Sequence, residues 1–254
     1  MGGAIVTTIA QAYLHTNISG TDAELAEWGR RAEALAYEIA SSVFPMEVEV
    51  EIVFQVGSLI SRALVKKIGA GLLAAYGGIA IYPDFKNGLL EAITDARTFS
   101  GAFNERFMSE ANIKSKDIVA RQRRIETPGR INRALDRLEN LEQNTAANRG
   151  SRYHQELQDA VTQLQWGLSD LEFSDRQQAV QLIVEYHEPR LPEPLLPELM
   201  RPVVWKREDE EFGLVESRAH RPNVKFLAKL RTDEPLRSQL LLEDKKTKRD
   251  KLKH

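Results

Sequence analysis

The sequence predicts an α+β protein, dominantly helical: a small N-terminal βαβ-like element packed on helices, followed by an antiparallel helical hairpin. Three observations carry this. Val48, Val50, Ile52, Phe54 and Val56 alternate with Glu47, Glu49, Glu51 and Gln55, the period of two of a half-buried strand with a wet, acidic face. Thr21-Asp-Ala-Glu24 has the form of a capping box and opens an amphipathic pattern, because the Thr hydroxyl and the Glu carboxylate can each take one orphan N–H of a first helical turn. Two apolar stripes, Ile131 to Leu141 and Tyr153 to Leu171, flank the polar stretch 144–150, the signature of two helices folded back on each other.

Taken in order, Ala4 to Leu14 begins β-branched and alternates loosely, so it reads as a strand. Asn17 to Gly20 is a turn. The helix opened at Thr21 places Leu25, Trp28, Ala32, Leu35 and Ile39 on one face and ends near Ser42, with Pro45 as its stop. Strand, helix and strand within about fifty residues suggest the βαβ-like unit.

Leu59 to Tyr82 is apolar and rich in small residues, and it reads as a helix. Ala70, Ala74 and Gly78 lie four apart, as do Gly71 and Ala75. Such a face lets another backbone approach closely, in a self-association contact or in lipid. The clean run from Ile68 to Tyr82 is shorter than the roughly 20 residues a bilayer core requires, and Arg62, Lys66 and Lys67 precede it, which favours a buried or oligomeric helix over a membrane contact. Gly69-Ala-Gly-Leu-Leu-Ala74 also matches G-x-G-x-x-A. That pattern signals a dinucleotide site only directly after a strand, and a helix is expected there instead, so no cofactor is expected.

Asp84 is placed to cap a further helix with Phe85, Leu89, Ile93, Ala96, Phe103 and Phe107 inside. Asn112 to Glu126 reads as a shorter basic helix. Thr127 is a good N-cap and Pro128 suits a first helical position. Ser174 starts a third helix of the arm, with Ala179, Leu182, Ile183 and Tyr186 on one face. Pro189, Pro192, Pro194, Pro197 and Pro202 then forbid helix and ladder bonding and predict an extended connector. The expected organisation is therefore an α+β core with a glycine-rich apolar helix at 1–126, a hairpin arm at 127–188, a linker at 189–202, and an extension at 203–254. In that extension 203–217 suits a short hairpin, 224–242 has some helical periodicity, and the last ten residues form a basic tail.

Composition narrows the function classes. With 42% hydrophobic and 28% charged residues, the chain is an ordinary globular protein. A net charge of −2 gives no global pull toward polyanions, so any such affinity is local. The absence of cysteine removes disulfides, thiol nucleophiles and thiolate metal sites, and fits a reducing compartment. The first residues lack the basic and apolar regions of a secretory signal, and Gly2 lacks the context for myristoylation. A cytoplasmic location is expected, peripheral to membrane if the apolar segment touches lipid.

No Walker-type phosphate loop, H-E-x-x-H or G-x-S-x-G is present. The five histidines are scattered without ligand spacing, and His187 suits the end of a helix. No catalytic, cofactor or metal residue is singled out, and the reading leans away from an enzyme. The sharpest charge feature is Lys114 to Arg137. Within it, Arg121, Arg123, Arg124, Arg130 and Arg133 are candidate polyanion contacts, against the plainer reading of a solvated face, since no aromatics interleave them. The leading expectation is a non-enzymatic assembly protein, a homo-oligomer or partner-binding chain, that self-associates through the small-residue face of Ala70, Gly71, Ala74, Ala75 and Gly78 and through the helical arm. Membrane association through 59–82 and nucleic-acid binding through 114–137 are its rivals.

Overall fold

The computed structural model describes residues 6–55, 59–77, 80–144, 151–191, 199 and 223–226. It is α+β and mostly helical. Strand β1 is Val6–Thr16, helix α1 Asp22–Val43, β2 Glu49–Gln55, β3 Ile60–Ile68, α2 Leu72–Ala75, α3 Tyr82–Glu110 and β4 Ile118–Ile125. The arm follows as α4 Thr127–Asn144, α5 Ser151–Ser169 and α6 Phe173–His187, and Asn223–Phe226 forms β5.

The sheet order is β4-β1-β3-β2-β5 with every pair antiparallel. Because β1 and β2 both run against β3, they run parallel to each other with β3 between them. The βαβ-like element is thus present in split form. Its helix starts where the sequence places it. The Thr21 hydroxyl accepts from the Glu24 N–H, and the Glu24 carboxylate takes the Thr21 N–H at 2.8 Å. Leu25, Ala32, Leu35 and Ile39 are buried as expected.

The sheet's helix-facing side is laid with small residues. Ala10, Ala12 and Ala63 are fully buried there, between the larger Leu14, Val50, Ile52, Phe54 and Val65. Small floor residues let α3, which packs on β1 and β4, approach with its phenylalanines. Phe99, Phe103 and Phe107 stack along the helix at 6.0 and 5.6 Å, and Phe44 and Phe54 meet them from the end of α1 and from β2. Asp84 lies in the first turn of α3 rather than at its cap, which is Ile81. Asp84 is the first residue there with capping chemistry, but burial already pulls Tyr82 into the helix.

Two segments expected as helices are strands. The glycine-rich helix expected over 59–82 is not formed. Ser61, Ala63 and Val65 point into the core, and Ile60, Arg62, Leu64 and Lys66 point away. Two of the three buried residues are small, so the alternation is faint in hydropathy, while Arg62 and Lys66 fall at helical spacing. Gly69 and Gly71, at φ +74° and +95°, end the strand in a conformation that favours glycine. The basic segment expected as a helix over 112–126 is a 3₁₀ turn, Ser115–Asp117, followed by the edge strand β4. Arginine has good helix propensity, but pairing with β1 overrides it.

The helical hairpin is as expected. Ile131, Leu135, Leu138, Tyr153, Leu157, Leu164 and Leu168 are all buried, and α4 packs along α5. The helices come very close at Gly167, where a Cβ would lie 2.7 Å from Ile131 Cγ1. The third helix is capped by Glu172, whose carboxylate accepts from the Ser174 N–H at 2.8 Å. Thr127 is not a cap. Its buried hydroxyl donates to Asp170 at 3.0 Å and ties the start of α4 to the α5–α6 turn.

The proline-rich stretch begins with a 3₁₀ turn, Glu188–Arg190, and contributes the buried Leu199; its other residues from 192 on lie outside those described. So do the hairpin expected over 203–217 and the basic tail. Asn223–Phe226 is a strand paired with β2, although 224–242 carries some helical periodicity.

Candidate nucleic-acid interface

In an antiparallel pair, residues directly opposite each other share a face. On the side away from α1 and α3, the register sets Gln122, Tyr13, Arg62 and Val53 in one row, and Arg124, Gln11, Leu64 and Glu51 in the next. Thr8, Lys66 and Glu49 form a third. Tyr13 is partly exposed and holds the centre of the β4-β1-β3 part of this face. The Arg124 guanidinium lies 4.9 Å from its ring centroid and that of Arg62 5.8 Å. Arg124 is steered by its Nε, which donates to Gln122 Oε1 at 2.7 Å. The face becomes acidic toward β2, where Glu51 pairs with Lys66.

The two candidate sets named from sequence fare differently. Arg121, Arg123 and Arg124 come together on β4. Arg124 faces Tyr13, while Arg121 and Arg123 point to the opposite side and meet Glu105 of α3 at 2.9 and 3.7 Å. Glu105 is 63% exposed, and an exposed pair of this kind contributes about 0–1 kcal/mol. Arg130 does not join them. It bridges Glu126 and the partly buried Asp170 and holds the arm to the core. Arg133 is exposed on α4, beside Gly129.

Ala70, Gly71, Ala74 and Ala75 do not share a helix face. Ala70 and Gly71 belong to the turn after β3, Ala74 and Ala75 to the single turn α2, and Gly78 lies outside the described residues. The G-x-G-x-x-A stretch does follow a strand and open a helix, contrary to expectation. Its N–H groups are nevertheless occupied. Gly71 and Leu72 donate to the carboxylate of Asp175, a buried residue of α6, at 3.0 and 2.9 Å. A side chain of the same protein stands where a phosphate would sit.

Tyr13 is absent from the candidates that the sequence offers, where it is one ring in a strand. Nothing in the local pattern joins it to Arg62 and Arg124; the sheet order does.

Two other places carry buried polar groups. A groove of about 810 Å³ runs between the end of α1, α2 and α3, lined by Phe44, Tyr76, Leu90, Glu91 and Asp95. The Tyr76 hydroxyl donates to Asp95 at 3.0 Å. Burial raises the Asp95 carboxyl above its ordinary range. Tyr76 and Asp95 satisfy one another, which suits packing. The second place is His187, which is fully buried rather than exposed. Its Nδ1 lies 2.5 Å from Glu142, and its Nε2 has no hydrogen-bond partner among the described residues. Its ring stands edge-on to Tyr82 and Tyr186, which stack at 4.0 Å. Tyr82 donates to Glu139, which also takes Lys86.

Burial holds the His187 pKa below its ordinary value, against the pull of Glu142 and Glu139; Arg190 adds to the lowering. The unfolded chain therefore binds a proton near pH 6.5 that the folded chain resists, and stability falls as pH drops below about 6.5. Asp170 works the other way. Burial pushes its carboxyl up to about 6, against Thr127 and Arg130, so its ionisation costs stability that returns as pH falls below about 6. Comparing wild type with His187→Gln separates the two. Urea midpoints between about pH 7.5 and 5.5 will fall more steeply in wild type; parallel curves would place the imidazole in contact with solvent.

Among the described residues no helix is long and apolar enough to cross a membrane, and no group of carboxylates and imidazoles has the arrangement of a metal site. No family model, curated protein or solved structure matches this chain.

Proposed function

We propose that the protein is a non-enzymatic nucleic-acid-binding module that uses the β4-β1-β3 part of its sheet. The observation that carries this reading is the placement of Tyr13 between Arg62 and Arg124 on the sheet side away from α1 and α3, at the edge strand whose Arg121 and Arg123 add positive charge on its other side. Basic groups supply the salt-dependent attraction to phosphate, and an aromatic ring among them supplies the element that the linear sequence lacks. Glu49 and Glu51 at the β2 end repel phosphate and confine the ligand to the basic half. A net charge near zero is consistent with a local patch rather than a general affinity for polyanions.

Ala70, Gly71, Ala74 and Ala75 do not form the helix face that the assembly reading invokes, which leaves that reading with the helical arm alone. Insertion of 59–82 into lipid would require pulling out β3, a central strand whose Ala63 and Val65 are fully buried.

The test is titration of the full chain against labelled oligonucleotides at several salt concentrations. Replacing Arg121, Arg123 and Arg124 by Gln will weaken binding and reduce the salt slope by about 1 for each phosphate no longer held. Absence of binding by the wild type at low salt would reject the reading.

A further inference from the structure

We infer that the ligand of the sheet is a single-stranded nucleic acid, with one base stacked on the Tyr13 ring and its flanking phosphates held by Arg62 and Arg124. This rests on the reading above and narrows it. A duplex keeps its bases inside, so it can use the arginines but not the ring. A single strand offers an unstacked base, and ring stacking is tolerant of which base it is.

Two guanidiniums flank the ring, so a base must displace one of them. A cation over a partly exposed tyrosine is held more weakly than a stacked base, so the exchange is favourable. The displaced cation also keeps its charge beside the phosphate. Arg62 is the one to yield: it lies farther from the centroid, at 5.8 Å against 4.9 Å, and Arg124 is steered by Gln122. Gln122 stands directly across from Tyr13 in the β1–β4 register and is exposed, so its amide is placed at the rim of a base lying on the ring. The path of the strand runs from β3 across β1 to the β4 edge, because Glu49 and Glu51 close the other direction.

The experiment uses the full chain, an oligothymidylate of about twelve nucleotides, an abasic strand of the same length, the matching duplex, and heparin. The expected result is that oligothymidylate binds about tenfold or more tightly than the abasic strand. Tyr13→Leu should remove that difference, and Tyr13→Trp should preserve it. Retained binding of heparin by Tyr13→Leu shows that the variant is folded. Equal affinity of the wild type for oligothymidylate and the abasic strand, or for single strand and duplex, overturns the stacking proposal while leaving the phosphate-binding reading standing. Failure of the wild type to bind any polyanion, heparin included, overturns both.

Discussion

Leu138→Asp and Leu164→Asp will each unfold the arm or the whole chain. Both leucines are fully buried, on α4 and α5. Loss of such a side chain costs about 2–5 kcal/mol, and desolvating the carboxylate that replaces it adds to the cost. Native proteins hold about 5–15 kcal/mol in total, so either variant consumes much of it. Thermal melts followed by circular dichroism check this. Two variants melting with the wild type would mean that the apolar stripes face water and that the hairpin is wrongly placed.

The second large effect is expected at Asp175. Its carboxylate accepts from the N–H groups of Gly71 and Leu72, across more than a hundred residues of sequence. In Asp175→Ala both donors are left without their acceptor at a buried junction. Each such loss costs about 1–3 kcal/mol. The variant should lose about 2–5 kcal/mol in urea unfolding, and Asp175→Asn less, since its amide oxygen still accepts one N–H. An alanine variant as stable as wild type would show that water caps these groups unaided and that the tie is incidental.

The contrast between these sites shows what a sequence displays. The leucines of the arm repeat at helical spacing, so burial writes itself into the local pattern. Thr21 and Glu24 likewise meet within one turn. Asp175 and Gly71 do not; nothing near either residue announces the other. The strand β3 is hidden for a different reason. Its core side is Ser61, Ala63 and Val65, two of them small, and small residues weaken the alternation by which strands are recognised. The basic edge β4 imitates a helix because its arginines reveal charge but not partner. Charged residues on an edge also discourage pairing with other chains, a role that produces no periodicity. Of the candidate interface, the β4 arginines are visible in the sequence, while Tyr13 and Arg62 become part of it only through the register of β1 with β3 and β4.

The sheet order has a consequence for how the chain is made. β1 leaves the ribosome before the other strands of the sheet, yet its two neighbours are β3 and β4. It must wait through α1 and β2 for one partner, and through the whole of α3 for the other. Until residues 118–125 emerge, one edge of β1 stays open, and its Ala10, Ala12 and Leu14 have no finished core to enter. Contacts so distant in sequence slow folding, because loop-closure entropy must be met before any pairing compensates for it. The nascent chain therefore spends much of its synthesis with an unsatisfied strand. The same closing step that covers that strand brings Arg124 over Tyr13, so the cluster of Tyr13, Arg62 and Arg124 is completed only when the sheet is.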